Sequence, residues 1–77
     1  MRTIRVGLVG LGTVGSGVVE ILTRHGDHFR TRAGVVIELV RCADRDPARA
    51  EALGIAPDRF TTQVAEIIGD PSIDVVI

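Results

Sequence analysis

At 77 residues the chain is about half the length of a typical domain and can bury only a modest core. Its nine arginines, absent lysines and ten acids leave a net charge of −1, with no basic block for nucleic acid and no acidic tail. A single cysteine, Cys42, excludes an internal disulfide, and no apolar stretch approaches the ~18 residues of a membrane span, so a cytoplasmic protein is expected.

In chain order, residues 3–9 read as a first strand, apolar nearly throughout as befits a strand covered on both faces. Arg5 and the glycines that follow break any signal-peptide core. Gly10, Gly12 and Gly15 then show the G-x-G-x-x-G spacing. Each has its own work: Gly10 for a sharp turn at positive φ, Gly12 for close approach of a pyrophosphate to the backbone, and Gly15 for tight helix–strand packing. A dinucleotide pyrophosphate is expected on the free N–H groups at the positive end of the following helix. The bare spacing is a weak signal, but a β-branched strand before it and an amphipathic helix after it supply the required context.

That helix is expected from Thr13 to about Arg32, with Val14, Val18, Ile21, Leu22, His25 and Phe29 forming one apolar stripe and Gly34 as the stop. Gly26 marks a kink or an early end. Thr13 is placed either to cap the helix or to donate to a phosphate. Val14 is placed beneath the nicotinamide ribose or in the core. Val35 to Ala43 reads as the second strand, interrupted by Glu38 and Arg41. Asp46 as N-cap and Pro47 at the first helical position open a short helix over about 47–53, ended by Gly54. Phe60 to Thr62 is a very short third strand, Gln63 to Ile68 a third helix, and Ile73 to Ile77 a final strand. The β-α-β-α-β-α-β alternation implies an α/β fold, a partial Rossmann-type doubly wound parallel sheet of order 3-2-1-4 with right-handed crossovers. The nucleotide is expected where the sheet order reverses, at the carboxyl ends of the first and fourth strands. The chain stops inside the apolar run Val75-Val76-Ile77, so it is expected to be the N-terminal part of a longer, truncated nucleotide domain.

The tip of the second strand bears on cofactor choice. Asp44 suits the ribose hydroxyls of NAD and repels a 2′-phosphate, whereas Arg45 suits the 2′-phosphate of NADP. The balance is drawn slightly toward NADP. Cys42, within an apolar strand, reads as a core thiol. His25 and His28 have no adequate company for a metal, Ser16 has no base, and no catalytic group stands out.

The run Ile4-Arg5-Val6-Gly7-Leu8-Val9-Gly10-Leu11-Gly12-Thr13-Val14-Gly15-Ser16-Gly17-Val18-Val19, together with Ala43-Asp44-Arg45-Asp46-Pro47 and Asp70-Pro71-Ser72-Ile73-Asp74-Val75-Val76, closely resembles the N-terminus of the homoserine dehydrogenase family. The resemblance spans essentially the whole chain. It implies a parent, homodimeric and without nucleic-acid or membrane partners, that reversibly oxidises L-homoserine to L-aspartate 4-semialdehyde with NAD or NADP, on the route to threonine, methionine and isoleucine. It also implies cofactor contacts at Gly10, Gly12, Thr13, Val14 and Gly15, with Arg45 toward the NADP phosphate. The family's catalytic lysine cannot lie in a lysine-free chain, so the segment alone is expected to be inactive. Another amino-acid or sugar dehydrogenase of this topology and a stand-alone nucleotide sensor are the competing possibilities.

Overall fold

β1 (Arg2–Val9) is one of the two inner strands of the sheet and is packed on both faces, its single glycine, Gly7, lying against α3. A computed structural model describes residues 2–77. It continues with α1 (Thr13–Ala33), β2 (Val35–Ala43), α2 (Pro47–Ala52), a 3₁₀ turn (Pro57–Arg59), β3 (Phe60–Thr61), α3 (Val64–Ile68) and β4 (Val75–Val76). The strands lie in the order β3-β2-β1-β4 and every pairing is parallel, as the alternating elements require. The last strand is shorter than the expected Ile73–Ile77. The Ile73 N–H is drawn into a turn by the Asp70 carbonyl, and only from Asp74 onward does the chain bond to β1, at Arg5 and Gly7.

One face of the sheet carries α1 and α2. Leu8, Leu11, Val19, Cys42 and Ala50 form its buried cluster, with Leu39, Leu53, Ile55 and Phe60 packed around it. Leu39 and Cys42 are three apart, so strict alternation would send them to opposite faces. They share this core because the β1–β2 register slips: Val6 pairs with Leu39 and Gly7 with Arg41, leaving Val40 as an extra residue. That bulge rephases the strand.

The inward stripe of α1 is also displaced from the apolar one. Gly15 and Val19 are buried and Val18 and Leu22 half-buried, whereas His25 is exposed and Val14 and Ile21 are 79 % and 50 % exposed. Gly15 decides this. It is the only residue type that can meet the backbone of the glycine turn, so the helix rotates to present it. Gly26 does not end α1, which runs on to Gly34, where φ is +65° and the N–H reaches the Arg30 carbonyl at 3.2 Å.

On the opposite face α3 presses Ile67, fully buried, onto β1. Gly7 makes that possible: a Cβ there would lie 2.7 Å from Cγ2 of Ile67 and 2.8 Å from Cδ1 of Ile73. The two faces thus meet β1 at adjacent residues, Leu8 beneath α1 and Gly7 beneath α3. Among the described residues no helix is long and apolar enough to cross a membrane.

Candidate dinucleotide-binding site

The glycine turn leaves β1 at Gly10, whose φ of +91° is a conformation that side-chain-bearing residues rarely adopt. Its N–H donates to the Ala43 carbonyl at 2.7 Å, which ties the turn to the tip of β2. Gly15 closes the turn from below, since a Cβ there would fall 1.9 Å from the Gly10 carbonyl oxygen. Between them Gly12 is the N-cap of α1, with no side-chain cap. The first intrahelical bond runs from the Ser16 N–H to the Gly12 carbonyl, at 2.8 Å. The N–H groups of Thr13, Val14 and Gly15 therefore have no helical carbonyl to meet, which is the condition for anion capture at a helix start.

The cap assignment corrects one expectation. Thr13 is not the cap but the first helical residue, exposed at the rim of the turn. Val14 likewise does not serve the core. Ser16, which the sequence left without a base, donates its hydroxyl to the Leu11 carbonyl at 2.9 Å and so braces the turn.

Two clefts open on either side of this turn. One, of about 370 Å³, is lined by Gly12, Thr13, Val14, Gly15 and Ile77. The other, of about 470 Å³, is lined by Gly10, Gly12, Asp44, Arg45, Arg49 and Val64 among others. A larger groove of about 690 Å³ lies away from the turn, between α1 and the segment after α2, with a mixed lining that includes Val19, Leu22, Leu53 and Ile55 beside Glu38, Asp58 and Arg59. Pairs of clefts about a helix N-terminus suit a ligand with two nucleoside halves joined by a pyrophosphate; a single groove without a helix start does not.

Asp44 stands at the head of the 470 Å³ cleft. Its Oδ2 accepts from the Leu11 N–H at 2.7 Å and its Oδ1 from the Asp46 N–H at 2.8 Å. The carboxyl is held below its ordinary range, first by the Asp46 N–H, then by the Leu11 N–H, with smaller help from Arg49 and Arg45 against partial desolvation. Asp44 is therefore both a turn-former and a charged group on this cleft. Arg45 is exposed on the same cleft, with no ion pair among the described residues.

Arg49 was not singled out by sequence reasoning, yet its Nη1 lies 3.6 Å from Oδ2 of Asp44. Counting from the cap would have found it. Asp46 caps α2 by accepting from the Ala48 N–H at 3.0 Å, Pro47 is the first helical residue, and Arg49 is the third, on the turn nearest the strand tip. Gly7 was missed because a glycine within a strand gives no sign of what helix will cover it.

A parallel sheet of order 3-2-1-4, a glycine turn at its switch point and a bare helix start between two clefts define a dinucleotide-binding half-domain of the Rossmann class. Residues 10–77 match the family model described as the homoserine dehydrogenase NAD-binding domain, and the chain belongs to that family. The homoserine dehydrogenase of Bacillus subtilis is 40 % identical over 77 residues, all of this chain and 18 % of the relative. Among solved structures, that of a homoserine dehydrogenase from Thiobacillus denitrificans is 44 % identical with a TM-score of 0.81, over 96 % of this chain and 17 % of that one. The Staphylococcus aureus homoserine dehydrogenase at pH 7.5 is 33 % identical with a TM-score of 0.86, over 99 % of this chain and 19 % of that one. The chain thus spans less than a fifth of the length of these relatives.

Proposed function

We propose that this segment binds a nicotinamide dinucleotide across the Gly10–Gly15 turn, as the cofactor-binding portion of an enzyme that interconverts L-homoserine and L-aspartate 4-semialdehyde. The observation that carries the reading is the uncapped start of α1 lying between two clefts. In this reading the pyrophosphate rests on the N–H groups after Gly12. The adenosine ribose faces Asp44 and Arg45, and the nicotinamide half occupies the cleft beside Thr13 and Val14. The cofactor supplies the hydride acceptor and donor. The chain's own part is to hold it: glycine at 10, 12 and 15 gives access, and the macrodipole of α1 offsets the pyrophosphate charge.

NADP(H) is favoured over NAD(H), because the adenosine cleft is lined by two arginines as well as Asp44. The parent enzyme, on the family's example, is a cytoplasmic homodimer whose catalytic and homoserine-binding groups lie on a further domain. Nothing in the 77 residues supplies a lysine for that chemistry.

The test is a calorimetric titration of the chain with NADPH and NADH, set beside Gly12→Ala. A Cβ at Gly12 meets only Arg49 Nη1, at 3.7 Å, so this variant should fold with an unchanged circular dichroism spectrum. Saturable binding by the unsubstituted chain, abolished in the folded variant, supports the site. Equal binding by both proteins would place the ligand elsewhere and sink the reading.

A further inference from the structure

The position of Arg49 is unexplained by the contacts a dinucleotide half-domain requires. Its guanidinium sits between the two groups that address different parts of the ligand. Nη1 is 3.6 Å from Oδ2 of Asp44, which faces the adenosine ribose, and 3.7 Å from where a Cβ on Gly12 would be, beneath the pyrophosphate. Helix α2 holds it there, capped by Asp46 at one end and anchored in the core through Ala50, 4 % exposed. The ion pair is nevertheless loose. The Arg49 side chain is 53 % exposed, and exchanging one anion for another at such a site costs little.

A carboxylate at the tip of β2 ordinarily repels a 2′-phosphate. Here two backbone N–H groups and Arg49 already compensate the Asp44 charge. A 2′-phosphate would replace the ribose hydroxyl nearest this carboxylate, and so would arrive where the Arg49 guanidinium already stands. The pyrophosphate has the start of α1 to serve it. The 2′-phosphate has only the cations of this cleft, which among the described residues are Arg45 and Arg49.

Resting on the dinucleotide reading above, we propose that Arg49 is a second cofactor-selecting residue of this site. In the free chain its guanidinium is parked on Asp44. When NADP(H) binds, it passes to the 2′-phosphate, with Arg45 closing the cleft from the strand side. Asp44 keeps its two N–H donors, so the turn holds its shape during the exchange.

The experiment compares the intact chain with Arg49→Ala and Arg49→Gln, the latter retaining most of the aliphatic stem over α2. Calorimetry measures affinity for NADPH, NADH, adenosine 2′,5′-bisphosphate and adenosine 5′-monophosphate. Both variants should lose about ten- to hundredfold in affinity for NADPH and the bisphosphate, the worth of charge-assisted bonds to a phosphate, while NADH and the monophosphate stay within about twofold. Raising the salt should weaken NADPH more than NADH in the unsubstituted chain, and by a smaller margin in the variants, where Arg45 alone faces the 2′-phosphate. Equal losses for both dinucleotides would assign Arg49 to the pyrophosphate and overturn the proposal, and unchanged affinities would reduce it to a surface ion pair. Either result leaves the dinucleotide reading intact. Failure of the unsubstituted chain to bind either cofactor overturns both.

Discussion

The Leu11 N–H donates to Oδ2 of Asp44 at 2.7 Å, joining residues 33 apart in the chain. The same carboxylate accepts from Asp46 at its other oxygen, so one side chain clamps the glycine turn, the tip of β2 and the approach to α2. Gly10 adds a parallel tie to Ala43. The glycine turn and the strand tip that line the 470 Å³ cleft are therefore tied together before any ligand arrives, which limits the ordering that binding has to meet.

The clamp depends on charge. Asp44 has its pKa lowered in the folded chain, so its stabilising contribution is fully present above the ordinary carboxylate value of about 3.9 and is lost as pH falls through the lowered folded value. Asp70 is lowered too, by its Ser72 hydroxyl and N–H, so acid sensitivity alone is not diagnostic. The melting-temperature difference between the unsubstituted chain and Asp44→Ala is. It should be constant from pH 8 to pH 5 and shrink in more acid solution. A difference independent of pH down to pH 2 would show that charge plays no part.

The three glycines of the turn should respond differently to alanine. Gly15→Ala puts a Cβ 1.9 Å from a carbonyl oxygen that cannot retreat without breaking the turn, and should cost about 3 kcal/mol. Gly10→Ala meets no atom within 4 Å, and only its φ of +91° is at fault, so roughly 1–2 kcal/mol is expected. Gly12→Ala should be the mildest. Urea midpoints would check the order 15, 10, 12, and a different order would mean that contacts around the turn have been misjudged.

Gly7 and Ile67 form a matched pair on the other face. Gly7→Ala drives its methyl to within 2.7 Å of Ile67 Cγ2, which should cost about 1–3 kcal/mol. Ile67→Ala leaves a cavity and should cost about 2–5 kcal/mol. The double variant should recover part of the first loss, because the shortened side chain clears space for the new methyl. Simple additivity in denaturant unfolding would show that the two residues do not share a packing site.

Cys42 is fully buried, and desolvation pushes its thiol up to about 11 despite the lowering influence of Arg59. It should remain protonated and unreactive toward a disulfide reagent at pH 8 until denaturant is added. The sign for stability follows: the unfolded thiol ionises first, so stability is intact below its ordinary pKa of about 8.5 and falls as pH rises toward 11. Rapid labelling of the native chain would contradict the buried placement.

The order of elements, the parallel sheet and the glycine turn were legible because each rests on local signals. A β-branched run makes a strand, Asp46-Pro47 starts a helix, and Gly10-x-Gly12-x-x-Gly15 has no cheaper reading between a strand and a helix. Asp44 and Arg45 followed by counting to the end of the second strand. Tertiary structure alone decided the rest. Periodicity weighs apolarity and therefore placed Val14 and Ile21 inward, but close packing of Gly15 on the Gly10 carbonyl rotated α1 and left both exposed. The bulge at Val40, the seat of Ile67 on Gly7 and the pairing of Arg49 with Asp44 each join segments distant in the chain. Sequence determines such contacts only through the whole fold, because which atoms meet depends on how helix and sheet are pressed together, and no local pattern records that pressure.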